Sequence, residues 1–180
     1  MFLNIITPCS RPENLLKISE SINIPKEDYR WIVVCDSESL PDENLIPKNC
    51  EIYTHKDLES ISGNGQRNYA IDMVEGGHIY FNDDDTLFHN DLWESVKNFD
   101  FDFISFVQLF KHGEIRLISD IIKVGHIDSH NFITSHRVAK NVRFMLDRYD
   151  ADGYFAMDCY QRSMTRLHLN KPLSVYNLLR

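Results

Sequence analysis

Three consecutive aspartates, Asp83, Asp84 and Asp85, follow a short apolar run in "HIYFNDDDTLF" (His78–Phe88). Carboxylates this close repel one another, so the triplet needs a cation, a cap or solvent to be tolerated. Hard divalent ions offer one answer, because Mg²⁺ or Mn²⁺ takes carboxylate oxygens and shares them with substrate phosphates. Two carboxylates one residue apart on an extended chain point to the same side, which lets Asp83 and Asp85 address one ion. The plainer reading is a solvated strand-to-helix loop in which one aspartate caps the next helix or faces its positive end. One carboxylate suffices for a cap, however, and the triplet follows a buried strand at the place where α/β sheets bind ligands. The phosphatase signature D-x-D-x-T fails by register. Thr86 would need its nucleophile at Asn82, and a nucleophile at Asp83 would need its threonine at Leu87.

The elements that must position the triplet can be read along the chain. "FLNIITP" and "WIVVCD" are buried strands, the second ending on Asp36, and "CEIYTH" is a third. Between the first two, "SRPE" offers Ser10 as an N-cap with Glu13 three residues on, opening a helix to about Ile22. "GNGQRNYAIDMVEGG" is a glycine loop and helix, "HIYFNDDD" the fourth strand and "NDLWESVKNF" the next helix, with Asn90 or Asp91 as its cap. Strand and helix alternate, so the first hundred residues predict a mostly parallel sheet with right-handed crossovers, and Pro8–Arg11, Asp36–Glu38 and Asp83–Asp85 fall at its carboxyl ends. The second half changes character. Phe101 to Leu117 reads as a hairpin-like pair. "IIKVGHIDSHNFITSHRVAKN" runs from a strand into a polar loop and a short helix, "DGYFAMDCYQRSMTRL" is a helix, and "NKPLSVYNLL" closes as a strand. The expectation is one domain over residues 1–180.

Composition narrows the chemistry. A chain of 180 residues with 43% hydrophobic and 12% aromatic residues is globular. Its net charge of -8, with no basic cluster, excludes an electrostatic footprint for nucleic acid, so handling phosphates would call for a metal. "MFLNIITP" is too short for a signal peptide or membrane span. The scattered Cys9, Cys35, Cys50 and Cys159 suit reduced thiols in the cytoplasm. "GNGQRN" is no G-x-G-x-x-G, since Asn68 holds the third glycine position, and Gly63 and Gly65 read as loop flexibility. Cys9 and Ser10 lack the surroundings of a nucleophile. Phe99, Phe101, Phe103, Phe106 and Phe110 read as core.

Taken in order, "IITPCSRPENL", "WIVVCDSE", "GNGQRNYAIDMVEGGHIYFNDDDTL" and "DGYFAMDCYQR" resemble the GT-A fold glycosyltransferases of family 2. "YFNDDD" also looks like the family 43 glucuronyltransferases. The third stretch is the most specific, placing Gly65, Arg67 and Asn68 ahead of an apolar strand and Asp83–Asp85; Asn82 stands where family 2 usually has an acidic residue.

The resemblance implies an α/β GT-A fold with a nucleotide-sugar-binding half (1–98) and a small mixed acceptor and catalytic half (99–180). It implies a metal-dependent, inverting transfer from a UDP, dTDP or GDP sugar to a glycan or small-molecule acceptor, using Mn²⁺ or Mg²⁺. Pro8, Ser10 and Arg11 would lie against the nucleotide, Asp36 would meet the base or ribose, and Arg67 would hold an acidic partner or the diphosphate. Asp83 or Asp84 would face the ribose or sugar, and Asp85 would bind the metal, with Asp83 and His168 as further ligands. Asp158 is the first choice of catalytic base, with Asp152 and Asp128 behind it. His126 and His130 either line the acceptor site or are polar loop residues. The short chain leaves little room for an acceptor subdomain, which implies either a small acceptor or one held partly by a protein partner or a second copy. A catalytically silent nucleotide-sugar-binding module is the alternative. A nucleotidyltransferase is a weaker one, because "PCSRPEN" lacks a glycine- and lysine-rich loop.

Overall fold

The computed structural model describes residues 1–180. Strand β1 (Leu3–Cys9) is buried along its whole length and is followed by helix α1 (Leu15–Ser21), β2 (Tyr29–Cys35) and β3 (Glu51–Thr54). Helix α2 (Asn64–Asp72), β4 (His78–Phe81) and α3 (Leu92–Val96) complete the first half. The second half holds β5 (Phe103–Phe110), β6 (Ile115–Leu117), β7 (Phe132–Ser135), α4 (His136–Ala139), α5 (Ala151–Arg162) and β8 (Arg166–Tyr176). No helix is long and apolar enough to cross a membrane.

All eight strands join one sheet, in the order β3-β2-β1-β4-β7-β5-β6, with β8 added beside β5. The β3-β2-β1-β4 portion is parallel throughout. Beyond it β7 pairs antiparallel with β4 and β5, β6 pairs antiparallel with β5, and β8 runs parallel to β5. Apolar residues alternate between two cores, as a pleat requires. Leu3, Ile5, Trp31, Val33 and Tyr80 face α1 and α3 through Leu15, Ile18, Leu92 and Trp93. Ile6, Ile32, Val34, Ile79 and Phe81 face Ala70 and Ile71 of α2 and Phe155 and Ala156 of α5.

Several sequence expectations shift. Strand β1 continues through Pro8 to Cys9, since a parallel neighbour at β2 accommodates a residue without N–H at the strand's end. No strand forms at Ile121 and Ile122; the strand of this region is β7, which follows a single 3₁₀ turn at Ser129–Asn131 capped by Asp128. Among the phenylalanines, Phe103 and Phe106 are buried and Phe99 and Phe101 pack against the core, whereas Phe110 is exposed at the end of β5.

Candidate active site

A cavity of about 430 Å³ opens at the carboxyl ends of β1, β2 and β4. Its walls bring together Pro8, Ser10, Arg11, Asp36, Arg67, Asp83, Asp84, Asp85, Asp128 and Asp152 from the sequence-derived set. Asp158 and His168 lie outside it. Six residues along α5 separate Asp152 from Asp158, about 240° around a helix of 3.6 residues per turn. Asp152 in the first turn therefore faces the cavity, while Asp158 is exposed on another face. His168 sits on β8 with Nδ1 3.0 Å from the Ser105 hydroxyl, so it is a hydrogen-bonded strand residue and not a partner of the triplet.

The triplet is a turn rather than an extended strand, because β4 ends at Phe81 and the Thr86 amide donates to the Asp83 carbonyl. The same-side alternation expected for Asp83 and Asp85 does not apply, and each carboxylate has its own arginine. Asp83 Oδ1 accepts from Arg67 Nη2 at 2.6 Å. Asp84 Oδ1 accepts from Arg11 Nη1, and its Oδ2 takes the amides of Ser10 and Arg11 and the Ser10 hydroxyl. Asp85 Oδ2 lies 2.6 Å from Arg180 Nε and 3.4 Å from Arg11 Nη1. Three guanidiniums, which stay charged at any working pH, thus balance three carboxylates.

Local sequence explains why these partners converge. Ser10 and Arg11 end β1 beside the end of β4, so the Ser10 side chain binds Asp84 instead of capping; the short 3₁₀ turn Pro12–Asn14 has no side-chain cap, and the Asn14 amide donates to the Asp84 carbonyl. Gly63 adopts a left-handed φ of +76°, and a Cβ there would come 2.7 Å from Pro8 Cβ. That close approach lets α2 start against β1 and carry Arg67 to Asp83. Gly65, by contrast, lies within α2 packed on Asp57, not in a flexible loop. Asn64 and Asn68 tie α2 to the second half through the carbonyls of Met145, Arg148 and Phe144.

His130, just before β7, is buried between the carboxylates, with Nε2 3.0 Å from Asp83 Oδ2 and Nδ1 3.4 Å from Asp128 Oδ1. Burial opposes its protonation, but Asp83 above all, with Asp128 and Asp85, pushes it up to about 9. Burial would likewise raise Asp83, yet Arg67 and His130 outweigh it and hold that carboxyl below the usual range. Asp85 moves the other way, raised by burial and then by Asp83. Burial and then Asp128 push Asp152 up to about 6. Asp128 itself is engaged by Arg116 at 2.9 Å and by the His130 amide.

Two partners of the site carry no local signal in sequence. Arg180 reaches Asp85 because the left-handed Asn177 turns the chain after β8 and the Leu179 amide binds the Asp85 carbonyl. Arg116, lying over the Tyr176 ring at 3.8 Å, closes the wall beside it.

No protein-family model matches the sequence, and no curated protein does. Solved structures do. S. aureus TarS 1-349 superposes with a TM-score of 0.76 at 16% identity over 97% of this chain and 60% of that one. Its complex with UDP-GlcNAc gives 0.75 at 16% identity, over 97% and 58%. The fold is GT-A. The mannosyltransferase PcManGT from Pyrobaculum calidifontis, in complex with GDP-Man and Mn²⁺, has the same fold at a TM-score of 0.70 and 11% identity, covering 97% of this chain and 56% of that one. The chain therefore spans about three-fifths of the length of these GT-A proteins.

Proposed function

We propose that this protein is a family 2-like glycosyltransferase that moves a sugar from a nucleotide-sugar donor, UDP-linked or else GDP- or dTDP-linked, to a hydroxyl of a glycan or small-molecule acceptor. The observation that carries this reading is the cavity at the carboxyl ends of β1, β2 and β4, walled by Pro8–Arg11, Asp36, Arg67 and the triplet. Open α/β sheets bind ligands there, and the two GT-A neighbours are complexes with UDP-GlcNAc and GDP-Man. The four unpaired thiols suit the reducing cytoplasm.

Asp152 is our choice of base. It lines the cavity, and with its carboxyl near 6 it is ionised at neutral pH yet basic enough to take a proton. In the inverting transfer the acceptor oxygen bonds to the anomeric carbon from the face opposite the diphosphate. The bond from that carbon to the diphosphate oxygen breaks, its electron pair leaves with the nucleoside diphosphate, and the acceptor proton goes to Asp152. Asp128 is less suited, being held by Arg116.

The resemblance also implies Mn²⁺ or Mg²⁺, and the PcManGT complex contains Mn²⁺. The donor set here does not fit such an ion. Both oxygens of Asp83 and of Asp84 and Oδ2 of Asp85 face arginine, histidine or N–H donors. The one oxygen of the triplet without a partner is Asp85 Oδ1, which is buried, and a single free oxygen is a poor set for an ion that takes about six ligands. In this reading Asp83 and Asp85 act through their arginines rather than as metal ligands, and His168, bonded to Ser105, lies away from the triplet.

The test is release of nucleoside diphosphate from UDP-GlcNAc, UDP-glucose, GDP-mannose and dTDP-glucose, with a panel of sugar acceptors. Acceptor-dependent release supports the reading. Binding without turnover would make the chain a silent nucleotide-sugar module.

A further inference from the structure

The triplet's partners raise a question that the fold does not answer, namely what meets the diphosphate of a donor if no divalent ion does. Two of the three arginines use only part of their donor capacity on aspartate. Arg180 Nε lies 2.6 Å from Asp85 Oδ2, and the Arg11 guanidinium donates to Asp84 and Asp85 through Nη1. A guanidinium carries five N–H donors in a planar fork, so both keep further N–H groups without a protein partner. Their side chains are 53% and 35% exposed and line the cavity, whereas Arg67 is 6% exposed, gives Nη1 to the Ser62 carbonyl and Nη2 to Asp83, and keeps its Nε buried without a partner.

We infer that Arg180 and Arg11 form a cationic clamp that takes the donor's diphosphate directly, in the position where a metal-dependent enzyme would hold a divalent ion. This rests on the nucleotide-sugar reading above. Asp85 then acts as a positioning residue, fixing Arg180 by one edge and leaving the other edge for phosphate oxygens, the geometry in which guanidinium binds bidentately. Residues 175–180 are tied to the turn that carries the triplet. The Thr86 hydroxyl donates to the Val175 carbonyl at 3.1 Å and the Leu179 amide to the Asp85 carbonyl at 2.8 Å, so Arg180 hangs from the same turn that carries the triplet. Charge on the departing nucleoside diphosphate would be met by two preorganised cations, an electrostatic role that needs no metal.

The experiment is calorimetric binding of UDP, GDP and dTDP to the whole chain, in EDTA and in Mn²⁺. The clamp predicts that the preferred nucleotide binds with affinities that agree within about twofold in the two buffers. Arg180→Ala should bind about tenfold more weakly in EDTA, the loss of a charge-assisted hydrogen bond. It should regain affinity in Mn²⁺, because the variant frees Asp85 to take an ion. Wild-type binding that disappears in EDTA overturns the clamp and leaves the nucleotide reading standing, and an Arg180→Ala variant that binds like wild type in EDTA does the same. No binding of any of the three nucleotides in either buffer overturns both. Should Arg180→Ala fail to show a folded melting transition, the wild-type comparison of EDTA with Mn²⁺ decides without it.

Discussion

Asp102 and the triplet Asp83–Asp85 are carboxylates held by arginine, and they differ in what their partners join. Asp102, just before β5, accepts from the amides of Met164 and Thr165, the Ser135 hydroxyl and Arg137. It lines a separate cleft of about 380 Å³ with Ser135 and Arg137, and its partners knit β5, β7 and the turn before β8. At the triplet the pairing is equally complete on Asp83 and Asp84, but Arg11 and Arg180 turn unused donors toward open space. The same kind of ion pair ties neighbouring elements together in one region and presents cations to the cavity in the other.

That contrast is open to direct test. The largest expected effect is at Asp152. Asp152→Asn should reduce transfer by about 10²- to 10⁴-fold with nucleotide affinity unchanged, checked by steady-state kinetics beside calorimetry. In the wild type the rate should climb as pH rises through about 6, where Asp152 ionises, and the variant's profile should lose that limb. A raised carboxyl costs stability above its unfolded value, so this variant should melt no lower than wild type at pH 7.

Asp102→Asn should show the reverse pattern, losing about 2 kcal/mol of stability while nucleotide affinity holds. Burial would raise Asp102, but the amides of Met164 and Thr165, Ser135 and Arg137 lower it on balance. Its contribution is present above the unfolded carboxyl value and lost as pH falls through the folded one. Denaturation midpoints of the two proteins should therefore converge below about pH 4. A variant that lost binding and kept stability would end the distinction between the regions.

Gly63→Ala should affect both measurements modestly. A left-handed alanine and its Cβ contact with Pro8 cost about 1 kcal/mol or more, a drop of about 2–4 °C in Tm for this chain length. Nucleotide affinity should fall with it, because α2 can no longer hold Arg67 on Asp83. The smallest effect belongs to Asp158→Ala, an exposed helix position, where stability should stay within about 0.5 kcal/mol and turnover unchanged. A large loss of turnover there would return the base to Asp158.

Legibility followed the range of the interaction. The strands β1, β2 and β4 were readable because continuous apolar runs bounded by turn residues have few other uses, and their ends placed Asp36 and the triplet on one rim. Ser10 reads as a cap in sequence because a capping-box pattern and a strand-end hydroxyl look alike until β4 supplies Asp84 next to it. Sequence does not separate Asp158 from Asp152, because both sit in one helical segment and only the packing of α5 on the sheet selects the face turned to the cavity.

The sequence by itself determined the alternation of strand and helix, the ligand-binding rim and the presence of an acidic triplet that demands neutralising. Only the tertiary structure decided what neutralises it. Arg11, Arg67 and Arg180 lie 73, 16 and 95 positions from Asp84, Asp83 and Asp85. No local pattern links residues so far apart in sequence; the parallel ladder of β1 with β4, the glycine-permitted approach of α2 and the turn after β8 are what bring each guanidinium to its carboxylate.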